Sequence, residues 1–124
     1  MKTDNPLRDR SYAFSLKIAK NCFEIQKKYG EYVLSKQLLR SATSIGANIE
    51  EAIGGHSEKD FYYRLTIAYR EARESHYWIR LIGDLELINL KIKADLLKDI
   101  DELLKILGSI KKTLQNKLKS ETQS

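Results

Sequence analysis

Hydrophobic and polar residues alternate along most of this chain with the three- and four-residue spacing of an amphipathic helix. The first such run contains Phe14, Ile18, Cys22, Ile25 and Tyr29, beside a second row of Tyr12, Leu16, Ala19 and Phe23. The second run contains Leu38, Ala42, Ile45 and Ile49. The third contains Phe61, Leu65, Ala68, Ala72, Ser75, Ile79 and Ile82. The fourth contains Leu96, Ile100, Leu103, Leu107, Ile110 and Leu114. Each run predicts a helix with one apolar side.

Residues that cap or end helices stand at the borders of these runs. Asn5, Ser35 and Ser57 are expected to cap the first three helices, because their side chains can accept a hydrogen bond from a free backbone amide. Gly30 and Gly54 suit helix ends. The predicted helices span residues 6–29, 35–53, 57–87 and 93–118 of one domain, residues 1–124. Because the connections are short, neighbouring helices should run antiparallel, as an all-α up-and-down four-helix bundle.

Composition agrees with a helical domain of one core. The chain has 124 residues, 42% of them hydrophobic, with one Pro and six Gly. Folding a chain of this length buries roughly two-thirds of the surface that the unfolded chain exposes. The single cysteine, Cys22, lies in an apolar run and is interpreted as a buried thiol. The charged N-terminus and the lack of a long apolar stretch predict a cytoplasmic bacterial protein without a membrane span.

Small residues are concentrated in the stretch RSATSIGANIEEAIGG, residues 40–55. Gly46 inside a helix costs about 1 kcal/mol relative to Ala. Small side chains allow two helix axes to approach closely, so we expect the second helix to be pressed against another helix near Ala42 and Gly46.

A polar row follows one flank of the same helix. Its members are Arg40, Ser44, Asn48 and Glu51. The row is either a solvated helix side or a partly buried, hydrogen-bonded row at a helix or subunit interface, and the choice of Asn and two small residues favours the second interpretation. Antiparallel pairing places Arg40 near Glu71 or Glu74, which predicts an interhelical salt bridge.

Two strings carry a resemblance to a known family. LSKQLLRSATSIGANIEEA, followed by DFYYRLTIAYREARESHYW in the next helix, resembles the 23S rRNA-intervening-sequence proteins over nearly the whole chain. The positions that match are Arg40, Ser41, Ser44, Asn48 and Glu51 in the first motif and Arg70, Glu71, Glu74, Tyr77 and Trp78 in the second. Glu50 departs from the pattern, since a small residue is more usual there.

The resemblance implies an up-and-down bundle assembled as a homopentameric ring, with RNA or DNA as a suspected partner. The fold is also similar to the accessory variability protein of diversity-generating retroelements, a basic pentamer that works with a reverse transcriptase and RNA. The resemblance assigns no catalytic residue.

Residue spacing excludes several kinds of site. A ferritin-like metal centre needs Glu three residues before His, but Ile53 and Arg73 stand before His56 and His76. Two His and one Cys do not make an ordinary zinc site, and no phosphate-binding loop is present. We therefore expect no cofactor, no metal and no small-molecule substrate.

The order REARESH, from Arg70 to His76, resembles the Arg-to-His spacing of HEPN ribonucleases and leaves catalysis on RNA as an alternative. Tyr77 and Trp78 could stack on bases. Core or subunit-interface packing is the favoured interpretation of Trp78.

Positive charge is concentrated near the C-terminus. The chain carries a formal net charge of +5, and residues 105–120 contain no acid and the lysines Lys105, Lys111, Lys112, Lys117 and Lys119. They form either a solvated helix end or a basic rim that binds nucleic acid. The leading hypothesis is a non-enzymatic oligomer that binds RNA or DNA, and the alternative is a structural or protein-interaction module.

Overall fold

The computed structural model describes residues 5–123 and contains four α-helices. They are α1 (Pro6–Tyr29), α2 (Val33–Ile53), α3 (Glu58–Asp84) and α4 (Leu90–Gln123). Helix α2 packs against α1 and α3, and α4 packs against α3 and, less closely, against α1. Residues 5–123 contain no strand, and none of their helices has an apolar stretch that could span a bilayer. The protein is an all-α four-helix bundle, as predicted.

Ion pairs between neighbouring helices show the direction in which the helices run. Each pair joins a residue near the start of one helix to a residue near the end of its neighbour. The pairs are Arg8–Glu50, Glu51–Arg64 and Glu58–Lys117, with N–O distances of 2.8, 4.0 and 2.6 Å. Consecutive helices are therefore antiparallel.

The contact between α1 and α4 depends on charged side chains. Lys17 Nζ lies 2.6 Å from Asp99 Oδ2 and 2.9 Å from Asp95 Oδ2, and Arg10 pairs with Glu102. The hydrogen bond with Asp99, and then the one with Asp95, raises the pKa of Lys17. This side of the bundle is held by exposed ion pairs that each contribute little to stability.

The core is built from the predicted apolar runs. Its large, fully buried side chains are Ile18, Leu38, Ile45, Ile49, Leu65, Ile79, Ile82, Leu96, Ile100, Leu103 and Leu107. Tyr29 was expected in the first run but is exposed. The second row of α1 also stays outside the core, with Tyr12, Leu16 and Phe23 exposed by 63%, 48% and 57%. We call these three residues the α1 stripe.

Three predicted helix ends have the expected geometry. Asn5 Oδ1 accepts a hydrogen bond from the Arg8 amide at 3.0 Å, and Ser57 Oγ accepts one from the Asp60 amide at 3.0 Å. Gly30 ends α1 in the left-handed region, with φ of 64°. These ends depend on contacts within a few residues, which is why local sequence predicts them.

The prediction that Ser35 caps α2 was wrong. Helix α2 begins at Val33, and Ser35 is buried within it. The cap is the carboxylate of Glu31, which accepts hydrogen bonds from the amides of Val33, Leu34 and Ser35 at 2.9, 2.8 and 2.9 Å. The Ser35 hydroxyl instead donates to the Glu31 carbonyl at 2.7 Å. The longer side chain of Glu31, and not the hydroxyl of Ser35, therefore caps α2.

Helix α4 is longer than predicted at both ends, starting at Leu90 rather than residue 93 and ending at Gln123 rather than residue 118. Asn89 Oδ1 accepts a hydrogen bond from the Ile92 amide at 2.8 Å and caps the helix. In the preceding turn, Glu86 adopts a left-handed φ of 60° and the Leu87 amide donates to the Ile82 carbonyl at 3.1 Å. Glycine usually occupies that position of a helix end.

Candidate functional site

The small residues of α2 allow a close approach to α1. A Cβ atom on Gly46 would lie 3.2 Å from Ser15 Oγ and 3.7 Å from the Ser11 carbonyl oxygen. The contact with Ser15 Oγ is shorter than most contacts of a Cβ atom, whereas the one with the Ser11 carbonyl is an ordinary van der Waals contact. The helix that presses on Gly46 is therefore α1, and the predicted close packing is confirmed.

On the opposite flank of α2, Arg40 forms the interhelical salt bridge that the sequence predicted. Its Nη1 lies 3.4 Å from Glu71 Oε1, and its Nη2 contacts Glu74 Oε2. Trp78 Nε1 donates a hydrogen bond to the same Glu74 oxygen at 2.9 Å. One carboxylate thus joins the arginine of α2 to the indole of α3.

Ser44 and Asn48 continue this polar row between α2 and α3, and both are half-buried. Ser44 Oγ donates to Glu71 Oε2 at 3.2 Å, and Asn48 Nδ2 donates to the Ser44 carbonyl at 2.9 Å. Glu51, the last member, is exposed and approaches Arg64 at 4.0 Å. The row lies at a helix interface within one chain, where its polar groups are paired.

Two of the five C-terminal lysines have partners within the bundle. Lys111 Nζ lies 4.7 Å from the centre of the Tyr69 ring and 5.9 Å from that of Tyr62. Lys117 Nζ lies 2.6 Å from Glu58 Oε2, and this hydrogen bond raises the pKa of Lys117. Both cations are therefore engaged with α3.

The other three lysines, Lys105, Lys112 and Lys119, are exposed. Lys91 and Lys98, which the sequence reasoning missed, are exposed as well and continue the same seven-residue spacing. Seven residues advance about 10.5 Å along a helix and return to within about 20° of the same side. We call these five lysines the α4 line. The spacing was the signal that could have identified the two missed members.

The structure separates Arg70 from His76. They are six residues apart on α3, which corresponds to about 120° around the helix and about 9 Å along it. His76 Nε2 lies 3.3 Å from Asp101 Oδ1 of α4, whereas Arg70 is exposed on another side of α3. Within one chain, the two side chains therefore lie on different sides of α3.

Comparison with known proteins agrees with this architecture. The family model described as 23S rRNA-intervening sequence protein matches residues 3–109. The chain belongs to this family. It is also similar to a solved structure of a protein with unknown function from the S23 ribosomal protein family of Bacteroides thetaiotaomicron. The two sequences are 40% identical and the two structures have a TM-score of 0.83. The alignment covers 86% of this chain and 98% of the other. No curated protein matches the chain.

The core of this 23S rRNA-intervening sequence protein contains one further polar contact. Ser41, from the first motif, has its Oγ 2.8 Å from Ser75 Oγ, and both serines are buried. Ser75 also donates to the Glu71 carbonyl at 2.9 Å. Buried hydroxyls paired in this way satisfy their hydrogen-bonding groups and allow α2 and α3 to pack closely.

Within residues 5–123 of this family member, no group of three or more His, Cys, Asp or Glu side chains could hold a metal ion. Cys22 is buried, and burial, with a smaller contribution from the charge of Glu31, raises the pKa of its thiol to about 12. A thiol with that pKa is protonated at neutral pH and is a poor nucleophile.

Proposed function

We propose that this 23S rRNA-intervening sequence protein is a non-enzymatic homo-oligomer that binds RNA or DNA through the exposed lysines of α4. The observation that carries the proposal is the α4 line. Among the described residues, none forms an ion pair with Lys91, Lys98, Lys105, Lys112 or Lys119. These charges are available to an external polyanion.

The expected binding is electrostatic and tolerant of sequence. Lysines that neutralise phosphates release condensed counterions, so affinity falls as salt rises. Contacts with the backbone of a nucleic acid position it but read no bases. The alternative, a structural or protein-interaction module, uses the same lysines only to keep the protein soluble.

Fluorescence anisotropy with labelled RNA and DNA tests the proposal. Replacing Lys105, Lys112 and Lys119 by Gln should flatten the plot of log affinity against log salt by about 2, because each neutralised phosphate of a single strand contributes about 0.7.

The control replaces two exposed lysines that lie outside α4 and away from the side of α1 that carries the α1 stripe, Lys28 and Lys36, by Gln. It removes two positive charges and should leave the slope unchanged. Equal slopes for wild type and the α4 variant, or no binding by either, would favour the interaction-module alternative.

The proposal includes assembly into a ring of five, which the family resemblance implies. Its support in this chain is the α1 stripe, because Tyr12, Leu16 and Phe23 expose large apolar side chains on one side of a helix. Covering such a surface is favourable. Light scattering after size-exclusion chromatography should give five times the chain mass of 14.4 kDa.

Leu16→Glu should release smaller species, since it places a charge in the proposed contact. Leu90→Glu is its control, because Leu90 is a large apolar residue that is 81% exposed at the start of α4 and is not a member of the α1 stripe. A wild-type chain that stays monomeric at micromolar concentration would contradict the assembly.

The non-enzymatic part of the proposal is supported by the separation of Arg70 from His76. His76→Ala should leave binding unchanged, and the ribonuclease alternative predicts that it abolishes cleavage of a labelled RNA. A reducing cytoplasmic location is part of the same proposal and is compatible with the single buried thiol of Cys22.

A further inference from the structure

The outer side of α3 has an unusual composition. Between residues 59 and 80, every exposed residue of this helix is a cation or a tyrosine, and the half-buried Glu74 is paired with Arg40 and Trp78. These residues, which we call the α3 face, are Lys59, Tyr63, Arg70, Arg73, Tyr77 and Arg80. The exposed carboxylates of α3, Glu58 and Asp84, stand beyond the two ends of this stretch. By contrast, the exposed side of α4 includes Asp95 and Asp101 between its lysines.

The cations of the α3 face are available for binding. Among the described residues, none forms an ion pair with Lys59, Arg70, Arg73 or Arg80, whereas Arg64 on the inner flank approaches a carboxylate. A cluster of like charges without carboxylates repels itself, and a polyanion relieves that repulsion. Arginine also matches phosphate geometry through paired N–H donors.

The two tyrosines add a different kind of contact. Tyr63 and Tyr77 are 59% and 50% exposed. The Arg64 guanidinium lies 5.7 Å from the centre of the Tyr63 ring, and that of Arg80 lies 5.8 Å from the centre of the Tyr77 ring. The rings are separated by fourteen residues, or about 21 Å along the helix. Exposed aromatic rings beside cations are the elements with which proteins hold unpaired bases.

The α3 face and the α4 line lie on neighbouring antiparallel helices. Glu58 pairs with Lys117 at one end of the α3–α4 contact, and Asp84 pairs with Lys93 at 2.7 Å at the other. By this register Tyr63 is at about the level of Lys112, Arg70 at that of Lys105, and Tyr77 at that of Lys98. Lysines of the proposed nucleic-acid interface therefore lie on the helix next to the α3 face.

We propose that the α3 face binds a single-stranded segment of RNA or DNA, with its arginines on the phosphates and Tyr63 and Tyr77 stacked on unpaired bases. This inference rests on the proposed function and deepens it by naming the strand form and a second binding surface. Single strands are favoured over duplexes because a base exposes its flat face to a tyrosine only when it is unstacked.

The first experiment removes the two rings. The double variant Tyr63→Ala/Tyr77→Ala should bind a labelled single-stranded oligonucleotide at least about 25-fold more weakly. Each ring that stacks on a base contributes a factor of about 5 or more to the affinity, and the two factors multiply. The salt slope should not change, because no charge is removed. Affinity for a duplex of the same sequence should change by less than about twofold.

Tyr32→Ala is the matched control for that variant. Tyr32 is 51% exposed and has Lys36 Nζ 5.8 Å from the centre of its ring, but it lies at the start of α2. Its removal should leave single-strand affinity unchanged. Both tyrosine variants are compared with the wild type at one salt concentration, with circular dichroism to verify that helix content is retained.

The second experiment removes charge instead of rings. Arg73→Gln/Arg80→Gln should flatten the single-strand salt slope by about 1.4, since each lost phosphate contact contributes about 0.7. Lys28→Gln/Lys36→Gln removes the same charge from α1 and α2 and should leave the slope as it is in the wild type.

The outcomes separate this inference from the proposed function. Wild-type protein that binds neither single strands nor duplexes overturns both. Binding that weakens in the α4 variant but not in either α3 variant overturns this inference alone and leaves the α3 face as a surface for something other than nucleic acid, such as a protein. An equal loss of single-strand and duplex binding in the tyrosine variant overturns the base-stacking assignment.

Discussion

Removing the carboxylate of Glu31 is the sharpest test of how α2 is held in place. This side chain accepts hydrogen bonds from three consecutive amides, those of Val33, Leu34 and Ser35, at 2.8 to 2.9 Å. Glu31→Ala removes the acceptor of all three. The first amides of α2 then depend on water, and the positive end of the helix dipole loses its nearby charge.

The size of the effect follows from these two losses. Deleting a capping side chain costs about 0.5–2 kcal/mol, and a charge at a helix terminus contributes about 0.3–1 kcal/mol. Because one residue supplies both, we expect Glu31→Ala to lower the free energy of unfolding by about 1.5–2 kcal/mol at pH 7. For a chain of this length that corresponds to a decrease in Tm of about 6–8 °C.

The effect should depend on pH. Partial burial alone would raise the pKa of Glu31, but the hydrogen bonds from the amides of Leu34, Ser35 and Val33 outweigh it, and the pKa lies below its usual 4.5. A lowered pKa in the folded state gives stability that is present above pH 4.5 and is lost as the pH falls through the folded-state value. The deficit of the variant should therefore shrink between pH 5 and pH 3.

Urea denaturation followed by circular dichroism measures this deficit at pH 7, 5 and 3 and at one protein concentration. Glu31→Gln is the control, because it keeps an acceptor oxygen but carries no charge. Its deficit should be smaller at pH 7 and should approach zero at low pH, where the wild-type carboxyl is protonated as well. A Glu31→Ala variant as stable as wild type at pH 7 would refute the capping role. A deficit of the same size at pH 3 would refute the charge contribution.

Three further substitutions test the packing. Leu103→Asp buries an unpaired charge at a fully enclosed position, which costs several kcal/mol against a total of about 5–15 and should abolish the helical signal in circular dichroism. Gly46→Leu forces a large side chain against Ser15 and should lower stability to urea by about 1–3 kcal/mol, whereas Gly46→Ala should cost less. Glu86→Gly relieves a left-handed conformation and should raise the unfolding free energy by up to about 1 kcal/mol in a thermal melt.

The helices and most of the core could be predicted from the sequence, because the side of a helix on which a residue lies follows from its position in that helix. Ile18, Ile45, Leu65 and Ile100 repeat at helical spacing and are all buried. The caps at Asn5 and Ser57 were predictable for a similar reason, since each depends on an amide three residues away. The Arg40 salt bridge was predictable as well, because a short turn sets the register of α2 against α3.

Competition between nearby caps was harder to predict. Ser35 is a good capping residue in isolation, but Glu31 reaches three amides at once and starts the helix two residues earlier. A choice of this kind depends on the conformation of the whole connection between α1 and α2. The capping preferences of single residues identify possible caps but do not show which of them forms the hydrogen bonds.

Which surfaces remain free depends on how the four helices pack together. Both rows of α1 have helical spacing, but Ile18 faces the other helices and Leu16 does not. Lys111 and Lys112 are adjacent in the sequence, yet Lys111 lies over tyrosine rings of α3 and Lys112 is exposed. Arg73 is free because no acidic side chain of a neighbouring helix reaches it within the part of the chain that the structure describes. Sequence position sets the direction of a side chain from its helix, and the neighbouring helices determine what that side chain contacts.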